Sequence, residues 1–203
     1  MENQLLSLVG PLALFGIAMS ITPGPNNLML TASGANFGFR RSIPHMLGIC
    51  IGCLLLMVLM ALGLGALFTT FPVLQTMLKV TGSLYLLWLA YKIATALPPT
   101  MNTNEIEQKP MGFMPAVLFQ FANPKAWLMA ISGIASFTLA GDYFVESAIL
   151  ACVVISLVNL PSISLWAGFG VAIGKILKTA QHWRYFNVIM GILTASCVLM
   201  ILS

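Results

Sequence analysis

The feature that most constrains this chain is a series of apolar runs too long to serve as ordinary protein core. From Leu5 to Ala35 about 31 residues pass without a charged side chain, about 46 Å if helical. Further runs follow at about 43–70, 73–97, 112–139, 144–174 and 184–202. The hydrocarbon of a bilayer, about 30 Å thick, takes about 20 apolar residues of helix to cross. No water reaches the backbone there, so such segments must close their own hydrogen bonds as helices. The expected fold is therefore all-α, a polytopic membrane protein of six transmembrane helices. Composition agrees, with 59% hydrophobic and 7% charged residues, where a soluble domain carries about 25% charged.

Several function classes are excluded at this level. The net charge of +4 comes from nine basic residues scattered between apolar runs, which make no continuous patch for nucleic acid. There is no H-E-x-x-H and no Walker sequence, so neither a zincin-type enzyme nor an ATP-driven pump is expected on this chain, and no cofactor is implied. Met1-Glu2-Asn3-Gln4 carries an acid and no base, so the first run reads as a membrane segment rather than a cleaved signal peptide. Cys50, Cys53, Cys152 and Cys197 all lie inside apolar runs, unlike a secreted disulfide framework.

The polar stretch Pro98 to Pro110 divides the chain. The expected organisation is a first three-helix unit at 1–97, a cytoplasmic loop at 98–111 and a second three-helix unit at 112–203, all in one membrane domain. Arg40 and Arg41, Lys92 and Lys109, and Lys175, Lys178 and Arg184 flank three connections on one side, whereas the other side has Lys79, Asp142 and Glu146. The positive-inside rule makes the first side cytoplasmic and both termini periplasmic. The halves also echo each other. Residues 25–34 read PNNLMLTASG and residues 124–133 read PKAWLMAISG, sharing the proline, a Leu-Met pair and the closing Ser-Gly. Three helices per half would make this an inverted repeat, a plan used by secondary transporters.

Chemistry concentrates where the echo begins. Thr22-Pro23-Gly24-Pro25-Asn26-Asn27 lies inside the first apolar run, and its prolines must break the helix. If Arg40 marks the cytoplasmic surface, Pro25 lies about 22 Å of helix inside it. Broken backbone at such depth is tolerated where it is buried in protein or lines a watery cavity. Asn123-Pro124-Lys125 is the counterpart, with Lys125 about 25 Å of helix from Asp142. A lysine so deep marks a pathway or pairs with something, unless it snorkels from a shallower position. Half-helices starting at Pro25 and Pro124 would aim backbone N–H groups at one cavity. Pro23, Gly24, Pro25, Asn26, Asn27, Asn123, Pro124 and Lys125 are thus the candidate substrate-binding residues, a set suited to an α-carboxylate.

These residues carry a family resemblance. Thr22-Pro23-Gly24-Pro25-Asn26, the run Lys79-Val-Thr-Gly82-Ser-Leu-Tyr85-Leu-Leu-Trp88, Gln120-Phe-Ala-Asn123-Pro124-Lys125 and, more weakly, Trp166-Ala167-Gly168 make the chain resemble the LysE/RhtB family of amino-acid exporters over essentially its whole length. The Pro-Gly-Pro-Asn-Asn form resembles the cysteine/O-acetylserine exporter-like branch. The resemblance implies a six-helix protein of the bacterial inner membrane that exports a small amino acid or derivative, a zwitterion, with proton exchange as the implied coupling. Many relatives have an aspartate where this chain has Asn26, and an amide takes up no proton at physiological pH. The competing reading is a channel or soft-metal-ion efflux protein on the same skeleton.

That alternative rests on Met46, Cys50, Cys53 and Met57, spaced to form one stripe of a helix, with soft ligands suited to Cu(I). Such a stripe also serves as plain packing, and no metal site is expected. The pairs Gly34/Gly38, Gly48/Gly52 and Gly170/Gly174 suit close helix contacts, within the chain or across a homodimer. Asn159 and Pro161 suggest a kink with an internal hydrogen bond, or else a place in the cavity. His45 and His182 are expected at the solvated interface, and Trp88, Tyr91, Trp183 and Tyr185 in aromatic belts.

Overall fold

The computed structural model describes residues 2–64, 70–97 and 109–199. Among them are eight α-helices: α1 (Glu2–Ile21), α2 (Pro25–Phe37), α3 (Phe39–Ala61), α4 (Pro72–Ala94), α5 (Phe113–Ala122), α6 (Pro124–Phe137), α7 (Phe144–Ile176) and α8 (Ala180–Ser196). A short 3-10 turn, Gly141–Tyr143, precedes α7. Three spans, Gln4–Ile21, Phe39–Ala61 and Gly141–Ile176, are by themselves long and apolar enough to cross a membrane. Large apolar side chains such as Leu14, Leu84, Leu118, Leu157 and Leu165 stand more than half exposed. An aqueous surface disfavours such a coat, whereas lipid matches it.

The first and fourth apolar runs are each split by their proline. Pro25 and Pro124 occupy first-turn positions of α2 and α6, where proline's missing N–H costs nothing. A single residue, Gly38, separates α2 from α3, with φ +82, a left-handed conformation glycine adopts without strain. The helix therefore restarts at once, and Arg40 and Arg41 lie in the first turn of α3 rather than in a loop. The expected kink at Pro161 leaves α7 one continuous helix. Most of the expected loop at 98–111 lies outside the described residues.

Packing follows the small residues. Helix α7 runs against α1, α2 and α3, while α3 also packs on α5 and α6, and α4 on α8. A Cβ at Gly34 would strike the backbone of Ala167, and one at Gly170 that of Thr31. On α3, a Cβ at Gly52 would come within 2.8 Å of the Val117 carbonyl oxygen. Of the small-residue pairs, Gly48/Gly52 and Gly170/Gly174 are thus used inside the chain, and Gly38 is a turn. The main core joins Leu12, Leu30, Leu56, Met129, Ile155 and Ile163. A second cluster holds Met29, Leu86, Leu89 and Phe119.

Two surface expectations are corrected. His182 is exposed, but His45 is 1% exposed, because its turn of α3 faces inward with Ser42, Met46 and Ile49. Trp183 is buried as well, on the inward stripe of α8 that includes Asn187, Met190, Gly191 and Thr194. Trp88, Tyr91 and Tyr185 are exposed.

Candidate functional site

At the first break the chain leaves helical geometry between Ile21 and Pro25, so the last carbonyls of α1 lack partners within their own helix. Side chains from three other helices supply them. Asn27 Nδ2 donates to the Ser20 and Thr22 carbonyls, each at 2.8 Å. Trp166 Nε1, from α7, donates to the Ile21 carbonyl at 3.2 Å. Lys125 Nζ, from α6, donates to the Thr22 carbonyl and, at 3.3 Å, to that of Pro23. The half-buried ammonium therefore sits on the negative end of the α1 dipole, where a cation is favoured. Its stem crosses Gly24, where a Cβ would lie 2.8 Å from Lys125 Cδ. Glycine at this position makes room for the lysine.

The second break is capped differently. The Asn123 side chain accepts from the Lys125 backbone N–H at 3.1 Å, and the Asn123 carbonyl takes those of Ala126 and Trp127. Trp127 Nε1 closes the Phe121 carbonyl at 2.7 Å. The first turn of α6 thus spends its donors locally. No side chain caps α2, so the amides of Asn26 and Asn27 are the ones left for a ligand.

Both breaks open on one cavity of about 30 Å³, lined by Gly24, Asn26, Asn27, Asn123 and Lys125, with room for water and not for an amino acid. Pro23 is exposed and contributes its carbonyl. Pro25 and Pro124 sit behind the lining, where they start the helices. Asn159 of α7 and Cys53 of α3 complete the wall with Ser20, whose hydroxyl is buried without a hydrogen-bond partner.

Gln120 joins the halves and was not among the candidates read from the sequence. Fully buried, it exchanges two hydrogen bonds with Asn26, at 2.8 and 3.2 Å. Its Oε1 also accepts from Asn123 Nδ2 at 3.4 Å, and its Nε2 donates to the Ala116 carbonyl at 2.9 Å. The available signal was an amide three residues before Asn123 on an otherwise apolar helix, because helical neighbours at that spacing share a face.

The sulfur stripe does not converge on one point. Cys53 Sγ lies 3.6 Å from Gln120 Oε1, Cys50 Sγ 3.9 Å from Asn159 Nδ2, and Met46 Sδ 3.5 Å from Ser164 Oγ. Cys50 and Cys53 both approach Asn159, Met46 meets Ser164 instead, and Met57 lies in the main core.

A helical chain coated in apolar side chains, with two proline breaks meeting around buried amides and a lysine, has the make-up of a multi-pass membrane transport protein. The LysE type translocator family matches residues 17–202, and the chain belongs to that family; it is a transporter and not an enzyme. Among its relatives are proteins named cysteine/O-acetylserine efflux protein. Those of Escherichia coli (strain K12) and Shigella sonnei (strain Ss046) are each 27% identical over 92% of this chain and 93% of the relative. That of Salmonella choleraesuis (strain SC-B67) is 29% identical over the same shares. No solved structure matches the chain.

Proposed function

We propose that the chain is a secondary exporter of a small amino acid or amino-acid derivative, working in a bacterial inner membrane by alternating access. The observation that carries this is the convergence of the two breaks, with Lys125, Asn26, Asn27 and Asn123 around one cavity. In this reading Lys125 and the open first turn of α2 receive the α-carboxylate, while Asn123 and Asn159 present oxygens to the ammonium. The names of the relatives put cysteine and O-acetylserine first among solutes to try.

Six crossings are proposed: α1 with α2, then α3, α4, α5 with α6, α7 and α8. The units at 1–97 and 112–203 would be inverted repeats, joined by a cytoplasmic loop at 98–111 with both termini periplasmic. The packing supports this plan, because α1 on α7 is mirrored by α5 on α3. With room only for water, the cavity reads as an occluded state, and exchange between states would widen it. The Asn26–Gln120 pair and the Met29–Phe119 cluster would then form the inner gate.

Counterflow in proteoliposomes tests the proposal. Preloaded cysteine or O-acetylserine should drive saturable uptake of label, and Asn26→Leu should abolish it in well-folded protein. Non-saturating flux would make the protein a channel, flux of Cu(I) alone a metal exporter, and either result overturns the proposal.

A further inference from the structure

Helix α2 lines two cavities in succession. Asn26 faces the central one and Met29 a second, three residues or about 4.5 Å of helix farther on. This vestibule has a volume of about 690 Å³, and among the described residues its wall includes Lys92 and Lys109 but no carboxylate. It lies at the end of the bundle that carries Arg40 and Arg41, the face proposed to be cytoplasmic.

Its wall holds an unmatched group. His45 lines the vestibule at 1% exposure, and neither Nδ1 nor Nε2 has a hydrogen-bond partner. Buried polar atoms are nearly always paired, so a ring whose two enclosed nitrogens both lack a partner leaves a demand that a group entering beside it would meet. An uncharged imidazole offers one donor and one acceptor. Elsewhere on the wall Tyr85 and Trp88 stack at 5.4 Å, and Lys92 Nζ lies 4.3 Å above the Trp88 ring. The lining thus offers the Lys92 ammonium for a carboxylate, a ring nitrogen for an ammonium, and an aromatic surface for a short side chain.

We propose that the vestibule is a loading site for the exported solute, where His45 and Lys92 hold the amino-acid head group before it passes the inner gate. The proposal rests on the exporter reading and adds a second site to it. Anionic lipid headgroups share this chemistry in part, and the test below separates them from the free solute. Met29 and Leu89 of its wall belong to the cluster that also holds Leu86 and Phe119. A solute held here is one turn of α2 from Asn26.

The test is counterflow of O-acetylserine in inside-out and right-side-out vesicles, comparing wild type with His45→Leu, His45→Gln and Lys92→Gln. His45→Leu and Lys92→Gln should each raise KM about fivefold at the cytoplasmic face, the size of one lost hydrogen bond. KM from the opposite face should not change, and His45→Gln, which keeps a donor and an acceptor, should recover most of the loss. Unchanged cytoplasmic KM in Lys92→Gln, or equal changes at both faces, overturns the proposal. Lys92 is exposed, so that variant decides the matter even if His45→Leu fails to fold. Repeating the assay in phosphatidylcholine with and without phosphatidylglycerol identifies a lipid site. A mutational effect seen only with the anionic lipid assigns the vestibule to lipid and overturns the proposal. Wild type without counterflow of any amino acid sinks the exporter reading itself, a result distinct from normal counterflow with unaltered variants.

Discussion

Lys125→Met separates what an isolated buried lysine would do from what this one does. A buried charge without a partner is costly, so its removal alone would stabilise the fold. Here the ammonium closes the Thr22 and Pro23 carbonyls. A cation at a partly buried helix C-terminus contributes up to about 2 kcal/mol. Against that, Lys125 sits in the first turn of α6, where a cation opposes its own helix by about 0.5 kcal/mol. Thr22 keeps its bond from Asn27 at 2.8 Å, so chiefly the Pro23 carbonyl loses its partner. The net expectation is a loss of about 1–2 kcal/mol, at the low end because the ammonium is half-buried and water screens it. Reversible unfolding in mixed detergent micelles measures this directly. Counterflow on the same preparation should show KM raised about tenfold or more, the equivalent of about 1.4 kcal/mol. A variant as stable as wild type would refute the capping argument. Unchanged KM in folded protein would refute the carboxylate role.

Gln120→Leu removes both bonds that tie α5 to Asn26. At about 0.6 kcal/mol for an interhelical bond in membrane proteins, with a maximum near 1.7, it should cost about 1–3 kcal/mol by the same unfolding assay, and wild-type stability would remove Gln120 from the account of how the halves join. Gly170→Ala would drive a methyl into the Thr31 carbonyl, 2.9 Å from its carbon, and backbone yields less easily than a side chain. Overpacking of this kind costs about 1–3 kcal/mol, so a melting temperature equal to wild type would show that α2 and α7 are less tightly apposed than described.

Much of the helical plan was legible because hydrocarbon leaves the backbone few choices. Long uncharged runs must be helices, and proline must interrupt them, so the breaks at Pro25 and Pro124 could be read from residue type and spacing alone. The family was legible for a related reason. The residues that carry the resemblance, Pro-Gly-Pro-Asn-Asn and Asn-Pro-Lys, are short motifs whose prolines answer a local backbone demand. The sequence also marked Asn26, Asn27, Asn123 and Lys125 as polar groups in apolar surroundings.

What those groups bond to was decided by tertiary structure, because hydrogen-bond partners across helices are set by packing and not by spacing along the chain. Lys125 lies 103 residues from the Thr22 carbonyl it closes, and Gln120 lies 94 from Asn26. The same holds for sidedness within a helix. His45 stands near two arginines in sequence, yet its turn of α3 faces the bundle, while Trp183 turns inward beside Gly174, within 3.4 Å of where a Cβ would stand. An apolar helix in lipid is hydrophobic on both faces, so the amphipathic pattern that separates inside from outside in a soluble helix is weakened. The sequence by itself therefore determined that the chain crosses a membrane as broken helices and where the breaks fall. Which way each polar side chain turns, and which helix end it satisfies, only the packed bundle decides.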